Sequence, residues 1–129
     1  MEIDSDTSEI RLRRFAVAYE VGNAVNPKLV EGQVAGGAVQ GIGGALFEEF
    51  AFDAEGQPQS ATFMDYLLPA LSEMPTIQSI VTQDFPPEHN PLGVRGAGEA
   101  GITGAGAAIA NAVRDALGIA EPLAGLPVT

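Results

Sequence analysis

The sequence predicts an α+β fold in which a small mixed sheet packs with two main helices, as a single domain over residues 1–129. Three observations predict it. Some segments alternate apolar and polar residues with the period of a strand, and two others repeat apolar residues at helical spacing. Their order along the chain is strand, helix, two or three strands, helix. Because 46% of the 129 residues are hydrophobic, the chain can build one core.

The first strand is predicted within residues 8–20. Apolar side chains alternate there with polar or small ones, at Ile10, Leu12, Phe15, Val17 and Tyr19. The phase slips once at residues 13–14, which indicates a bulge or bend. Residues 4–6 have the composition of a turn, so an earlier strand is expected upstream of the chain. Residues 22–27 form a loop, since the residue before a proline disfavours helix.

A long helix is predicted over residues 30–50, although six glycines interrupt it. Each interior glycine costs about 0.5–1 kcal/mol relative to alanine, so tertiary packing must hold this helix. The same glycines permit close approach by another backbone or by a cofactor. Gln33 and Gln40 fall on one face of the helix. Ligand contact and core packing, with the two amides bonded to backbone, are both open interpretations for this face.

Between the helices, two short strands are predicted at residues 50–53 and 60–63, joined by a turn. Residues 64–69 form an apolar segment that a proline terminates. Alternation predicts a further strand over residues 76–82, and the prolines of residues 85–91 exclude regular structure there.

The second helix is predicted to start at Ile102 and to end at Leu117, because apolar residues recur at helical spacing between them. Gly118 is positioned to cap its C-terminus. Residues 119–129 contain two prolines and are predicted to be irregular.

Composition excludes several classes of function. Six Lys and Arg against 17 Asp and Glu give a formal net charge of −11, which argues against nucleic acid or an anionic membrane as partner. With no cysteine and one histidine, thiolate metal sites, disulfides and histidine clusters are excluded. The acidic N-terminus is unlike a signal peptide, and no apolar run is long enough to span a bilayer. A cytoplasmic protein is expected.

Glu99 is the candidate catalytic residue. It lies among four glycines in the segment of residues 90–101, with an alanine-rich run behind it. Glycine lets a backbone approach a ligand closely, so an acid there is typical of a ligand-facing turn. The competing interpretation is a flexible loop entering a helix, with Glu99 as an acid favoured at the helix start by the dipole.

Other motifs give weaker indications. Residues 96–101 match G-x-G-x-x-G, but the dinucleotide fingerprint needs a strand directly before it and a second strand after it. His89 is the only histidine and no serine lies in a nucleophile-elbow sequence, so a serine hydrolase is not supported. His89 is expected to shape a loop or face solvent.

Three segments in this order resemble the C-terminal end of the molybdenum-binding large subunit of the xanthine dehydrogenase, aldehyde oxidase and carbon monoxide dehydrogenase family. They are residues 31–43 (EGQVAGGAVQGIG), 63–69 (FMDYLLP) and 89–101 (HNPLGVRGAGEAG). Residues 22–27 and 126–129 fit as well. The resemblance implies that the chain is a fragment of a larger molybdopterin-binding domain.

The resemblance also implies molybdenum hydroxylase chemistry. Glu99 falls on the glutamate that acts as general base towards a molybdenum-bound hydroxyl, which a carboxylate within hydrogen-bond reach can do. Gln33 matches the glutamine that hydrogen-bonds near the molybdenum and the pterin. Gly96, Ala97 and Gly98 would lie against the cofactor, where a side chain would clash. The cofactor expected is molybdenum–molybdopterin, in its cytosine dinucleotide form, and no residue of this chain is expected to ligate the metal.

The N-terminal part of such a large subunit is the first partner that the resemblance implies, because it supplies the other half of the cofactor site. Iron–sulfur and flavin subunits or domains would carry the electrons away from a small-molecule substrate. The isolated chain is expected to be inactive and free of cofactor, and exposed apolar faces would favour a homo-oligomer. The alternatives are a non-enzymatic assembly module of the same ancestry and a nucleotide-binding protein.

Overall fold

A computed structural model describes residues 1–128, and its elements confirm the predicted α+β class. Four strands, two α-helices and one short 3-10 helix follow one another along the chain. They are β1 (Glu2–Ile3), β2 (Ile10–Arg11), β3 (Arg14–Glu20), α1 (Pro27–Leu46), the 3-10 helix (Leu71–Glu73), β4 (Thr76–Thr82) and α2 (Ala105–Leu117).

The strands form one antiparallel and one parallel pair. β1 and β2 make a small hairpin, whereas β3 and β4 pair in parallel, with Arg14 opposite Thr76 and Glu20 opposite Thr82. The predicted slip at residues 13–14 is confirmed as the break between β2 and β3. β1 was not predicted, because two residues are too few to show a period in the sequence. The strand expected upstream of the chain lies outside the described residues.

Helix α1 is displaced from its predicted bounds of residues 30–50. It begins at Pro27, where the side-chain oxygen of Asn26 accepts from the Leu29 amide at 3.1 Å. Proline is well suited to the first helical position because its missing N–H has no partner to lose. The helix ends at Leu46, and the amides of Phe47 and Glu48 both donate to the Gly43 carbonyl at 2.9 Å.

The predicted strand pair at residues 50–53 and 60–63 is wrong, since only an isolated bridge joins Phe52 to Pro58. Proline has no N–H with which to extend a ladder. The Ser60 hydroxyl takes over instead, accepting from the Ala51 amide at 3.0 Å and donating to the Glu49 carbonyl at 2.9 Å. Strand β4 has the predicted bounds.

The core lies between α1 and α2. Helix α2 starts three residues later than predicted, and the left-handed Gly118 (φ 66°) confirms the predicted C-cap. Nine apolar residues are buried, most of them on these two helices: Val21, Val34, Ala38, Ile42, Ala45, Ala100, Ala105, Ile109 and Val113. Gly41 makes this packing close, because a Cβ there would overlap that of Ala105.

Neither helix found in residues 1–128 combines the length and the apolar character that crossing a lipid bilayer requires.

Candidate functional site

The candidate site is the turn at residues 96–99, hereafter the 96–99 turn. It runs between two firmly held pieces of backbone. Arg95 precedes it and bonds to the ends of the parallel strands, while Ala100 and Gly101 follow it and pack on α1. The turn itself lies mostly at the surface, with Ala97 half-buried.

The C-terminal anchor is a contact between two backbones. A Cβ on Gly101 would overlap the Val34 carbonyl oxygen and the Ala38 nitrogen of α1. A Cβ on Gly37 would lie 3.0 Å from the Gly101 nitrogen and Cα. Only glycine fits at Gly101 without moving the helix. This contact fixes the distance of the 96–99 turn from α1.

The N-terminal anchor is a set of hydrogen bonds around Arg95. Its amide donates to the Val21 carbonyl at 2.8 Å. Its guanidinium donates twice to the Phe85 carbonyl, from Nε at 3.1 Å and from Nη2 at 2.8 Å. One residue earlier, the Val94 carbonyl accepts from the Asn90 side chain at 2.9 Å. Backbone and side chain of Arg95 are therefore tied to different segments.

Glu20 lies at the centre of this anchor, and the sequence analysis missed it. Its carboxylate accepts from the amides of Gly22, Asp84 and Phe85 and from the Thr82 hydroxyl. Partial desolvation opposes ionisation, but these four donors outweigh it and hold the Glu20 pKa at about 2. The one signal in the sequence was an acid at the end of a mostly apolar strand, directly before Val21-Gly22.

Glu99 is exposed, and its side chain makes no hydrogen bond or ion pair with any residue of the described part of the chain. Its backbone carbonyl accepts from the Thr103 hydroxyl at 3.0 Å. The helix-start interpretation of Glu99 is wrong, because α2 begins at Ala105 and has no acid in its first turn. The carboxylate is therefore held by its backbone and free to meet a group from outside the chain.

Gly96 and Gly98 differ from the glycines that pack on α1. A Cβ at either position would meet no atom within 4 Å, and neither residue has a left-handed φ. Neither chain conformation nor internal packing therefore explains them. The space beside the two glycines is open, and it is hereafter called the cradle.

Gln33 is brought to this turn, as its side-chain amide makes a long contact of 3.5 Å to the Gly98 carbonyl. Beside it lies a mainly apolar cleft of about 310 Å³, lined in part by Val21, Leu29, Gln33, Ala97 and Gly98. The second amide of the predicted face, Gln40, is exposed without reaching the turn. The structure thus joins Gln33, Ala97 and Gly98 in one place and leaves Gln40 outside it.

Two other predicted features stay apart from the site. His89 is exposed in the loop at residues 85–91, as expected. The G-x-G-x-x-G match follows a loop rather than a strand, so its dinucleotide-binding context is missing. Within residues 1–128, no three His, Asp or Glu side chains come together in a way that could hold a metal ion.

Comparison with known proteins identifies the relatives of this fold and site. Residues 1–75 match the family described as molybdopterin cofactor-binding domain. Subunit gamma of the 6-hydroxypseudooxynicotine dehydrogenase complex of Paenarthrobacter nicotinovorans is 49% identical over 129 residues, which is 100% of this chain and 16% of that protein. The carbon monoxide dehydrogenase large chain of Afipia carboxidovorans is 37% identical over 116 residues, 90% of this chain and 14% of that one. The chain spans less than a fifth of either relative.

Solved structures share the fold over most of the chain. Quinoline 2-oxidoreductase from Pseudomonas putida 86 superposes with a TM-score of 0.85 at 39% identity, over 90% of this chain and 15% of that chain. A Cu,Mo-CO dehydrogenase superposes with a TM-score of 0.84 at 36% identity, over 90% of this chain and 14% of that one. By the family match and the shared fold, this chain belongs to the molybdopterin cofactor-binding domain family.

Proposed function

We propose that this chain is the base-carrying segment of a molybdenum hydroxylase and binds a molybdopterin cofactor together with the rest of a large subunit. The observation that carries the proposal is the 96–99 turn. It combines two glycines facing open space with a carboxylate that has no partner in the described chain. Membership of a molybdopterin-binding family supports the choice of ligand.

The cradle fits a flat, polar-edged group such as a pterin. Gly96 and Gly98 leave room for such a group to lie directly on the backbone, since no side chain stands in the way. Ala97 adds only a methyl group to this surface. The apolar wall of the neighbouring cleft can cover one face of the ligand.

Gln33 supplies the polar contact. At 3.5 Å its hydrogen bond to Gly98 is long, so the amide loses little by turning to a ligand. An amide both donates and accepts, which suits the mixed edge of a pterin. Its place on α1, held against Gly101 through Gly37, keeps this donor at a fixed distance from the turn.

Glu99 is the general base in this proposal. When bound, the cofactor supplies the metal centre at which substrate is oxidised. The Glu99 carboxylate accepts a proton there, and its backbone anchors keep it aimed at one place. Because no cation or donor of the described chain binds that carboxylate, it is available to do so.

The remainder of a large subunit, iron–sulfur and flavin components and a small-molecule substrate complete the proposed enzyme. The relatives are named as a complex subunit and a large chain, and this chain spans 16% and 14% of them, which supports a site completed by other polypeptide. The chain has no cysteine, so thiolate-held clusters would sit elsewhere. We propose the cytosine dinucleotide form of the cofactor and an isolated chain that is inactive and cofactor-free.

The test is a hybrid holoenzyme in which this chain replaces the matching segment of the Paenarthrobacter subunit gamma. Glu99→Gln keeps the shape but removes the base, so turnover should fall by about 10²–10⁴-fold. Metal and pterin content should stay at the parent level. Glu88→Gln, an exposed acid nearby in sequence, is the matched control and should retain turnover.

Gly98→Ala tests the cradle in the same hybrid. It should reduce pterin content while leaving the melting temperature of the isolated chain close to that of the parent, because the added methyl meets nothing within the chain. Full turnover in Glu99→Gln would rule out Glu99 as the general base. A hybrid that assembles but never contains pterin would instead favour an assembly module.

A further inference from the structure

We propose that Glu20 is a positioning residue for the 96–99 turn, acting through the Phe85 carbonyl and the guanidinium of Arg95. The hydrogen bonds of this chain alone support the positioning of the turn by Glu20. Only its consequence for turnover rests on the proposed function of Glu99.

The first step joins Glu20 to the loop after β4. One carboxylate oxygen accepts from the Thr82 hydroxyl at 2.7 Å and the Asp84 amide at 3.0 Å. The other accepts from the Gly22 amide at 2.8 Å and the Phe85 amide at 3.3 Å. A single carboxylate therefore holds together the ends of β3 and β4 and the first residues beyond each. Hydrogen bonds to a charged group are stronger than neutral ones.

The second step joins that loop to Arg95. The Phe85 amide is held by Glu20, and the Phe85 carbonyl receives both guanidinium bonds of Arg95. On the other side, the Arg95 amide donates to Val21, the residue directly after Glu20. Arg95 is thus bonded through its amide to the residue after Glu20, and through its guanidinium to a residue whose amide Glu20 accepts from.

The third step leads from Arg95 to Glu99. Three hydrogen bonds reach residues 96–99 from outside the turn: the long bond from Gln33 to the Gly98 carbonyl, the bond from Thr103 to the Glu99 carbonyl and a 3.3 Å bond from the Ala100 amide to the Ala97 carbonyl. Among the described residues, none of these bonds involves Gly96. The direction in which the turn leaves the strands is therefore set at Arg95. Since a small misplacement of a reacting group costs much of its rate, this direction matters for a base.

The first test uses the full chain and solution NMR. In Glu20→Gln an NH₂ group faces backbone donors, so the amides of Asp84 and Phe85 should exchange roughly ten- to a hundred-fold faster. The Arg95 amide should also exchange faster, and the backbone chemical shifts of Gly96, Gly98 and Glu99 should change. Glu9→Gln is the matched control, because Glu9 is an exposed acid that pairs with Arg11 in the distant hairpin.

Arg95→Lys distinguishes loss of the link from Glu20 through Phe85 to Arg95 from a general loss of folding. It leaves the four Glu20 hydrogen bonds in place and removes the paired contact to Phe85, so it should shift the same 96–99 signals without freeing the Asp84 amide. If Glu20→Gln does not fold, Arg95→Lys still tests whether the contact between Arg95 and Phe85 positions the 96–99 turn. Unchanged 96–99 signals in Arg95→Lys, or faster exchange at Asp84 with none at Arg95, would overturn the proposal.

The second test uses the hybrid holoenzyme. Glu20→Gln should lower kcat by roughly ten- to a hundred-fold with KM and pterin content unchanged, and Glu20→Asp should recover part of it. A parent-level kcat in Glu20→Gln, alongside loss of turnover in Glu99→Gln, overturns the positioning role alone. Full turnover in Glu99→Gln would overturn the general-base role of Glu99. The NMR measurements would then still test whether Glu20 positions the turn.

Discussion

Two carboxylates in this chain have opposite surroundings. Glu20 accepts four hydrogen bonds, and its pKa is held at about 2. Glu99 has no side-chain partner in the described residues and faces outward. A carboxylate surrounded by donors is fixed in its ionised form, which suits a structural role.

The low pKa of Glu20 predicts an acid-sensitive anchor. The folded-state pKa of about 2 lies below the ordinary value of 4.5, so ionised Glu20 stabilises the fold fully above about pH 4.5. That stabilisation is lost as the pH falls towards 2. Urea unfolding at several pH values measures it as a decrease in the free energy of unfolding.

Glu20→Gln is the comparison for this titration. Its unfolding free energy should vary less between pH 4.5 and 2 than that of the parent chain, since the titrating group is gone. Equal pH dependence in the two proteins would contradict the assignment.

At the level of single residues, the candidate site and the residues that anchor it differ in how much the sequence says about them. Glu99, Gln33, Gly96, Ala97 and Gly98 were picked out by matching segments. Four of them lie at one turn, and Gln33 reaches it. The roles assigned to them stay predictions. Glu20 could not be found in the same way, because three of its donors are backbone amides, two of them more than 60 positions away.

At the level of elements, the close packing of Gly101 on α1 and the open space beside Gly36 predict opposite effects for these two glycines. Gly101→Ala should lower the free energy of unfolding by about 1–3 kcal/mol, because its methyl overlaps the Val34 carbonyl. Gly36→Ala should raise it by about 0.5–1 kcal/mol, since the site is open and alanine favours helix. Urea denaturation of both variants measures the difference, and equal effects would contradict the packing.

Elements were predictable where the local pattern also decides the structure. β4 has the alternation that its half-buried position requires, and the glycine after α2 ends that helix as predicted. The predicted strand pair around residues 50–63 does not form, because the Ser60 hydroxyl bonds to the backbone in place of a strand ladder. Parallel pairing of β3 with β4 depends on contacts far apart in sequence, so no local pattern could show it.

At the level of the whole molecule, the segment at residues 63–71 exposes large apolar side chains. Met64 and Leu71 are each 91% exposed, and Phe63, Leu67 and Leu68 are exposed as well. Exposed apolar surface of this kind is typical of an interface. Nothing in residues 1–128 covers these side chains.

We therefore expect the isolated chain to self-associate as its concentration rises. Met64→Glu places a charge in the exposed segment and should shift sedimentation velocity profiles towards monomer. Ser5→Glu adds the same charge in the exposed turn between β1 and β2 and should not. A chain that sediments as a monomer at every concentration would contradict this expectation.

The contact between α1 and the 96–99 turn also bears on the order of events in folding. Gln33 and Gly98 are 65 positions apart in the chain. Closing so long a loop is slow compared with forming a helical turn. Because six glycines leave α1 dependent on tertiary packing, we expect the helix to become stable only when Gly101 packs on it. Helix α1 and the segment that follows the 96–99 turn should therefore form as one cooperative unit.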